Sequence, residues 1–238
     1  MQLGIRVAYP EKGGYDWCEA LKPYPAVEVA FRDPDGCFEP PHDQIFMPWD
    51  YDTVDPKVLS VHMAHAKPQR SDLFWTCLWR TTQWARAWKT PYIVVHPQNG
   101  NLDALRPFLA RCIEAIVQPD CFLCWETFLS KRRFVNTIQS IAEAGLYACY
   151  DTSHMRRDSE GVLNDLDTYK DTIKVVHLSN WDEYGQHLPL REGVLDMRTI
   201  LAYLSKNFEG PVILEYLQKY HHLYQDDLKW AEKVIYEG

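Results

Sequence analysis

Long apolar runs are what this chain of 238 residues most plainly lacks. No stretch approaches the roughly 18 to 20 consecutive apolar residues that span a bilayer, so no transmembrane helix is expected. The opening MQLGIRVAYP has neither a basic leader nor an apolar h-region, so no signal peptide is read there and a cytoplasmic location is the default expectation. Basic excess is missing as well. The formal net charge is −8, whereas nucleic-acid binders draw much of their affinity from a basic patch. The acidic total weighs against a nucleic-acid partner without excluding a local patch. Walker A, Rossmann GxGxxG and GxSxG sequences are all absent. DPDG (33–36) lacks the other ligand positions of a calcium loop and reads as a turn. There is no low-complexity segment or Gly/Ser linker, so a single domain over 1–238 is expected. The 7 cysteines are an odd number, and the one close pair, Cys121 and Cys124, falls on a predicted strand. Residues three apart on a strand face opposite sides, so this CxxC is a poor metal or redox motif and buried reduced thiols are expected.

What is present is an ordinary globular composition, 46% hydrophobic and 24% charged, with a recurring pattern. Strands are predicted near 2–8, 26–31, 58–63, 91–96, 121–126, 146–151, 173–179 and 211–216. Their starts are about 24 to 38 residues apart, the length of one βα unit. Helical periodicity fills the gaps at LDALRPFLARCIEAIV (102–117), KRRFVNTIQSIAEAG (131–145) and MRTILAYLSKNFEG (197–210). Eight such units in an α/β chain of this length predict a single (β/α)8 TIM barrel, with a doubly wound sheet as the alternative.

The strand ends favour the barrel. CFLCWE, LYACYD, IKVVH and PVILE finish at Glu126, Asp151, His177 and Glu215, and LSVH and YIVVH finish at His62 and His96. In a barrel the C-terminal ends of all strands face one mouth, whereas in an open sheet distant strands do not converge. Two glutamates, an aspartate and a histidine suit one divalent metal ion such as Mn²⁺, Mg²⁺, Co²⁺ or Zn²⁺. Glu126, Asp151, His177 and Glu215 are therefore the candidate ligands. Each alone reads equally as a solvated polar residue or half of an ion pair.

Several longer motifs add a resemblance. YDTSHM (150–155) resembles the D-T-x-H motif after the sixth strand of xylose isomerase-like TIM barrels. That superfamily includes ketose 3-epimerases, hydroxypyruvate-isomerase-like enzymes and the endonuclease IV family. VVHPQNG (94–100) is similar to its fourth-strand segment, and WETF (125–128) and VILEY (212–216) to its two glutamate strands. HLSNWDEYGQHLPLREGVLD (177–196) looks like its seventh-strand histidine and the loop that closes on G-x-G-x-[IL]-D. The likeness runs from about residue 58 to the end. It implies a sugar or hydroxy-carbonyl substrate and one metal on the four residues above. It also implies that Glu126 and Glu215 act as an acid/base pair across an enediolate. His154 is implied to touch a substrate oxygen, with a backbone-bound helix-start histidine as the alternative. Homo-oligomers are common among such relatives.

The endonuclease IV members support a second reading, zinc-dependent cleavage of a DNA phosphodiester. There, histidines matching His62 and His96 bind further zinc ions. The Asp-x-His pair for a third zinc reads Gly185-Gln186-His187 here, so the aspartate is missing; Asp182 is the possible substitute. His62, His96, His154 and His187 are accordingly assigned to line the substrate. Arg191 replaces the first glycine of the seventh-loop element and is a candidate for a substrate hydroxyl, carboxylate or phosphate, or for a salt bridge on the rim. Trp125 and Trp181 are candidate aromatic faces for a sugar, although most tryptophans serve packing. His65, Tyr220, His221, His222 and Tyr224 are read as surface residues. A barrel that binds a ligand without catalysis is the third reading.

Overall fold

Period-2 alternation in the short apolar segments produces strands that pair edge to edge until the first meets the last. The protein is described here by a computed structural model over residues 1–8, 21–31, 56–64, 71–95, 121–129 and 135–237. In chain order the first strands are β1 (Gln2–Ala8), β2 (Ala26–Ala30), β3 (Lys57–His62), β4 (Tyr92–Val95) and β5 (Phe122–Glu126). A short antiparallel pair, β6 (Phe128–Leu129) with β7 (Val135–Asn136), follows. The remaining strands are β8 (Tyr147–Asp151), β9 (Ile173–Leu178) and β10 (Pro211–Leu214). Strands β1 to β5 and β8 to β10 form a closed, parallel, eight-stranded barrel in which β1 pairs with both β2 and β10. The described helices are α1 (Ser71–Ala87), α2 (Ile138–Glu143), α3 (Ser159–Thr168), α4 (Met197–Asn207) and α5 (Tyr224–Glu237). This is the (β/α)8 architecture; closure through β1 and β10 excludes the doubly wound alternative. The 102–117 segment expected to be helical lies outside the described residues. No helix among them is long and apolar enough to cross a membrane.

Alternation divides the strand residues into two layers. Outward side chains such as Val27, Val29, Ile93, Leu123, Trp125, Tyr150 and Val176 join the main core beneath the helices. Inward ones, Ala26, Leu59, Val94, Cys124, Cys149, Val175 and Ile213, form a separate buried apolar floor inside the barrel. Two residues further along β2, β5, β8 and β9, and just past the end of β10, the next inward positions are Glu28, Glu126, Asp151, His177 and Glu215. A polar layer thus sits one pleat above a dry floor, at the C-terminal mouth.

Two irregularities set the phase of that layer. The β2–β3 register jumps so that Val27 faces Val58 but Glu28 faces Ser60, with Leu59 as the extra residue. Strict alternation from Leu59 would point Val61 inward and His62 outward. The bulge turns Ser60 and His62 into the barrel instead. A matching shift between Ala148 and Cys149 skips Lys174 on β9 and brings His177 opposite Asp151.

The helix expected over 131–145 is shorter in the structure. Val135–Asn136 pairs as a strand with Phe128–Leu129, and the helix starts only after Thr137. Thr137 caps it, its side chain accepting from Ser140 N at 3.1 Å, a cap of the type Ser and Thr favour. Gly145 follows its end with φ 69°, as expected of a helix stop.

Candidate metal centre at the barrel mouth

The four proposed ligands converge. Glu126 ends β5, Asp151 ends β8, His177 lies on β9, and Glu215 follows β10 directly. Each offers one donor atom, and these atoms all lie within 4.8 Å of one another. All four residues are buried. His177 Nδ1 stands 2.6 Å from Glu215 Oε2 and 3.3 Å from Glu126 Oε1.

Asp151 is held from outside the cluster. Its Oδ1 accepts from Ser153 N, Ser153 Oγ and His154 N, each at 2.8 Å. Its Oδ2 turns into the site. Among the described residues Asp151 Oδ2 is buried without a hydrogen bond, and the contact of Glu215 Oε2 is with His177, itself a candidate ligand. Buried carboxylate oxygens lacking a donor are costly unless a cation compensates them. Three carboxylates and one imidazole form a hard-to-borderline donor set that fits a divalent ion. Burial pushes the Asp151 carboxyl up, but the neighbouring His154 and His187 outweigh it and hold it below the usual aspartate range. Burial likewise opposes charge on His177, yet its neighbours Cys149 and Glu28 outweigh burial and hold its pKa well above the usual value.

The histidines proposed to line the substrate divide into groups. His62 is fully buried, with Nδ1 3.0 Å from Met63 O, Nε2 3.2 Å from Glu126 Oε2 and its ring stacked 5.9 Å from His177. His154 and His187 form a second candidate cluster with Asp151. His154 Nδ1 lies 3.1 Å from Thr127 O, so that nitrogen carries a proton. In the neutral ring its Nε2 then accepts from His187 Nε2, 2.9 Å away. That leaves the His187 Nδ1 lone pair facing Ser179 Oγ at 3.5 Å and Asp151 Oδ2 at 3.9 Å. Burial depresses the pKa of His187 to about 4. His96 lies outside the described residues, as does His65.

A cavity of 330 Å³ opens over these groups, lined in part by Glu126, His154, His187, Glu215, Phe31 and Arg6. Three proposed contacts do not reach it. Trp125 precedes Glu126 on β5, so alternation points it outward, where it is fully buried in the main core. Arg191 pairs with Asp227 on α5 at 2.8 Å, the rim salt bridge that was the alternative reading. Trp181 donates from Nε1 to Arg157 O at 3.0 Å and carries the Arg156 guanidinium 6.0 Å above its ring, away from the cavity lining. In the opposite direction, Tyr224 is buried and His221 lines the cavity, although both were expected on the surface.

The sequence reading missed Arg6 on β1 and Glu28 on β2. Glu28 is fully buried, beside His177 Nε2 and Ser60 Oγ. Burial would raise its pKa, but His177, His62 and Arg6 together hold it down to about 2. Arg6 hydrogen-bonds Glu215 through Nη1 and places Nε 3.8 Å from Glu28 Oε1. The available signal was a lone charge in each of two otherwise apolar strands, AVEVA and LGIRVA, in the inward phase.

The loop after β9 is shaped by Gly193. Its φ is 120°, and a Cβ there would lie 2.5 Å from Asn180 Oδ1 and 2.6 Å from Trp181 O. Asp196, the last residue of the loop element, caps α4 by accepting from Arg198 N and Thr199 N. Asp182, the candidate third-zinc substitute, is engaged locally, its Oδ1 accepting from Tyr184 N at 2.8 Å and Gly185 N at 2.7 Å.

A family profile described as xylose isomerase-like TIM barrel matches residues 58–234. No curated protein matches the chain in sequence. Among solved structures, a D-tagatose 3-epimerase-like protein is 17% identical, with 100% of this chain and 99% of that one covered and a TM-score of 0.76. Endonuclease IV from Thermus thermophilus is also 17% identical, with both chains covered in full and a TM-score of 0.72. The IOLI protein, solved with a bound zinc atom, is 14% identical over 98% of this chain and 96% of its own, with a TM-score of 0.66.

Proposed function

The chain belongs to the xylose isomerase-like TIM barrel family, and from that premise we propose that it is a metal-dependent isomerase or epimerase of a sugar or sugar phosphate. The observation that carries the proposal is the buried set of Glu126, Asp151, His177 and Glu215, two of whose members, Glu126 and Glu215, also line the cavity. A divalent ion held by these four residues would polarise the substrate carbonyl and steady the enediolate charge. The two glutamates move the proton. One takes it from the carbon beside the carbonyl, and the other returns one at the opposite face. His154 and His187 line the cavity, where the His187 Nδ1 lone pair can accept from a substrate hydroxyl while His154 holds the His187 ring through Nε2, and the cavity of 330 Å³ suits a single small molecule. The cytoplasmic setting belongs to the same proposal.

The endonuclease reading draws on one specific observation, the additional cluster of Asp151, His154 and His187. Against it stand Gly185 at the missing aspartate, the local engagement of Asp182 and the net charge of −8.

The test combines metal counting with proton chemistry. The purified protein is expected to hold one divalent ion per chain and to exchange substrate hydrogen for solvent deuterium in a screen of ketoses, aldoses and small hydroxy-carbonyl compounds. Glu126→Gln and Glu215→Gln should each slow that exchange by about 10²-fold or more. Three zinc ions with cleavage at abasic sites would transfer the assignment to DNA repair. Exchange undiminished in Glu126→Gln would remove the proton-transfer role.

A further inference from the structure

A fourth buried carboxylate stands beside the cluster, and the chemistry above leaves it unused. Glu28 is fully buried and lies on the far side of His177 from the proposed ion. His177 Nδ1 faces Glu126 and Glu215, while its Nε2 lies 3.2 Å from Glu28 Oε2 and 3.1 Å from Oε1, with the hydrogen bond running to Oε2. Ser60 donates to the same Oε2 at 2.7 Å. Arg6 Nε, 3.8 Å from Oε1, is more distant than either.

We propose that Glu28 is a positioning residue for the metal centre, holding the Nε2–H of His177 so that the Nδ1 lone pair points at the ion, with Ser60 locking the carboxylate in turn. The inference rests on the metal reading of the site. A neutral imidazole has one N–H and one lone pair, and the partner of the first decides where the second points. Metal-bound histidines generally give their other N–H to a carboxylate or carbonyl that fixes tautomer and ring orientation. Both strand irregularities serve this contact. The β3 bulge sets Ser60 opposite Glu28, and the β9 shift turns His177 inward. The apolar floor beneath, with Ala26, Cys149 and Val175 one pleat below Glu28, Asp151 and His177, leaves the carboxylate no water on that side.

The experiment titrates Co²⁺ and Mn²⁺ into the chelator-stripped, full-length protein, following affinity calorimetrically and the Co²⁺ absorption bands spectroscopically. Glu28→Gln is expected to weaken binding by about 10- to 100-fold and to shift the Co²⁺ bands, because the histidine loses its charged anchor. Glu28→Asp, which keeps the charge on a shorter arm, should recover part of the affinity. Thermal unfolding of the metal-free variants reports whether each is folded. If Glu28→Gln fails to fold, Ser60→Ala decides, with an expected loss of several-fold. Binding within about twofold of the unaltered chain and unchanged Co²⁺ bands, in Glu28→Gln or in a decisive Ser60→Ala, overturn the role of Glu28. That result leaves the metal centre standing. Failure of the unaltered chain to bind either ion overturns both.

Discussion

Replacing Asp151 by asparagine separates its structural half from its metal-binding half. Asp151 Oδ1 accepts three hydrogen bonds at 2.8 Å, and an amide oxygen can accept the same three. The amide nitrogen then takes the place of Oδ2, presenting a donor where the site needs an acceptor. Without metal, the variant should melt somewhat below the unaltered protein, because His154 and His187 favour the ionised carboxylate and the neutral amide forgoes that stabilisation. With metal the gap widens. Ligand at 100 times its Kd stabilises the folded state by about 2.7 kcal/mol. At about 2–4 °C per kcal/mol for a chain of this size, that raises Tm by about 5–11 °C. A 100-fold loss of affinity at the same metal concentration leaves only about 0.4 kcal/mol, or about 1–2 °C. Asp151→Ala is the control. It abandons all three hydrogen bonds as well as the ligand, and should cost about 3 kcal/mol without metal and more with it. Differential scanning fluorimetry with Mn²⁺ or Zn²⁺ measures each case. A full metal-induced shift in Asp151→Asn, or none in the unaltered protein, would refute the assignment.

Other consequences follow from the same geometry. His187 has a folded pKa of about 4 against an ordinary 6.5, so between those values the unfolded chain binds a proton that the folded ring refuses. Metal-free stability should therefore fall as pH drops from about 6.5 to 4, by up to about 3 kcal/mol; urea midpoints at pH 7 and 5 should differ less in His187→Gln. Arg191→Met removes the half-exposed partner of Asp227, which is buried but keeps Tyr216 Oη and Leu190 N as donors, and should cost about 1–3 kcal/mol, with KM changed less than about twofold; a tenfold rise in KM would return Arg191 to the substrate. Gly193→Ala forces a Cβ into Asn180 and Trp181 at a φ of 120°, so a loss of at least about 1–3 kcal/mol is expected by chemical denaturation.

Much of this molecule is legible locally. The eight barrel strands fall within a few residues of their expected positions, because alternation and flanking turn residues are properties of short segments. The four cluster residues stand out for the same reason, each ending an apolar run in the inward phase. Helix 131–145 is shortened because an antiparallel pairing of Phe128–Leu129 with Val135–Asn136 outcompetes the start of a periodic segment. Trp125 was misplaced for a simpler reason: proximity to Glu126 in sequence means the opposite face on a strand.

The chain by itself determined the barrel, its floor and the kinds of donor at its mouth, since these depend on which face each strand residue occupies. Only the tertiary structure decided who meets whom. Closure of β1 against β10 brings Arg6 to Glu215 across 209 positions of sequence, and two bulges set His62 and His177 inward. Folding also turns Arg191 to Asp227 on the last helix and seats Glu28 behind His177. Register and closure are relations between segments far apart in the chain. No local pattern carries them, and a shift of one residue reverses the face of every side chain that follows.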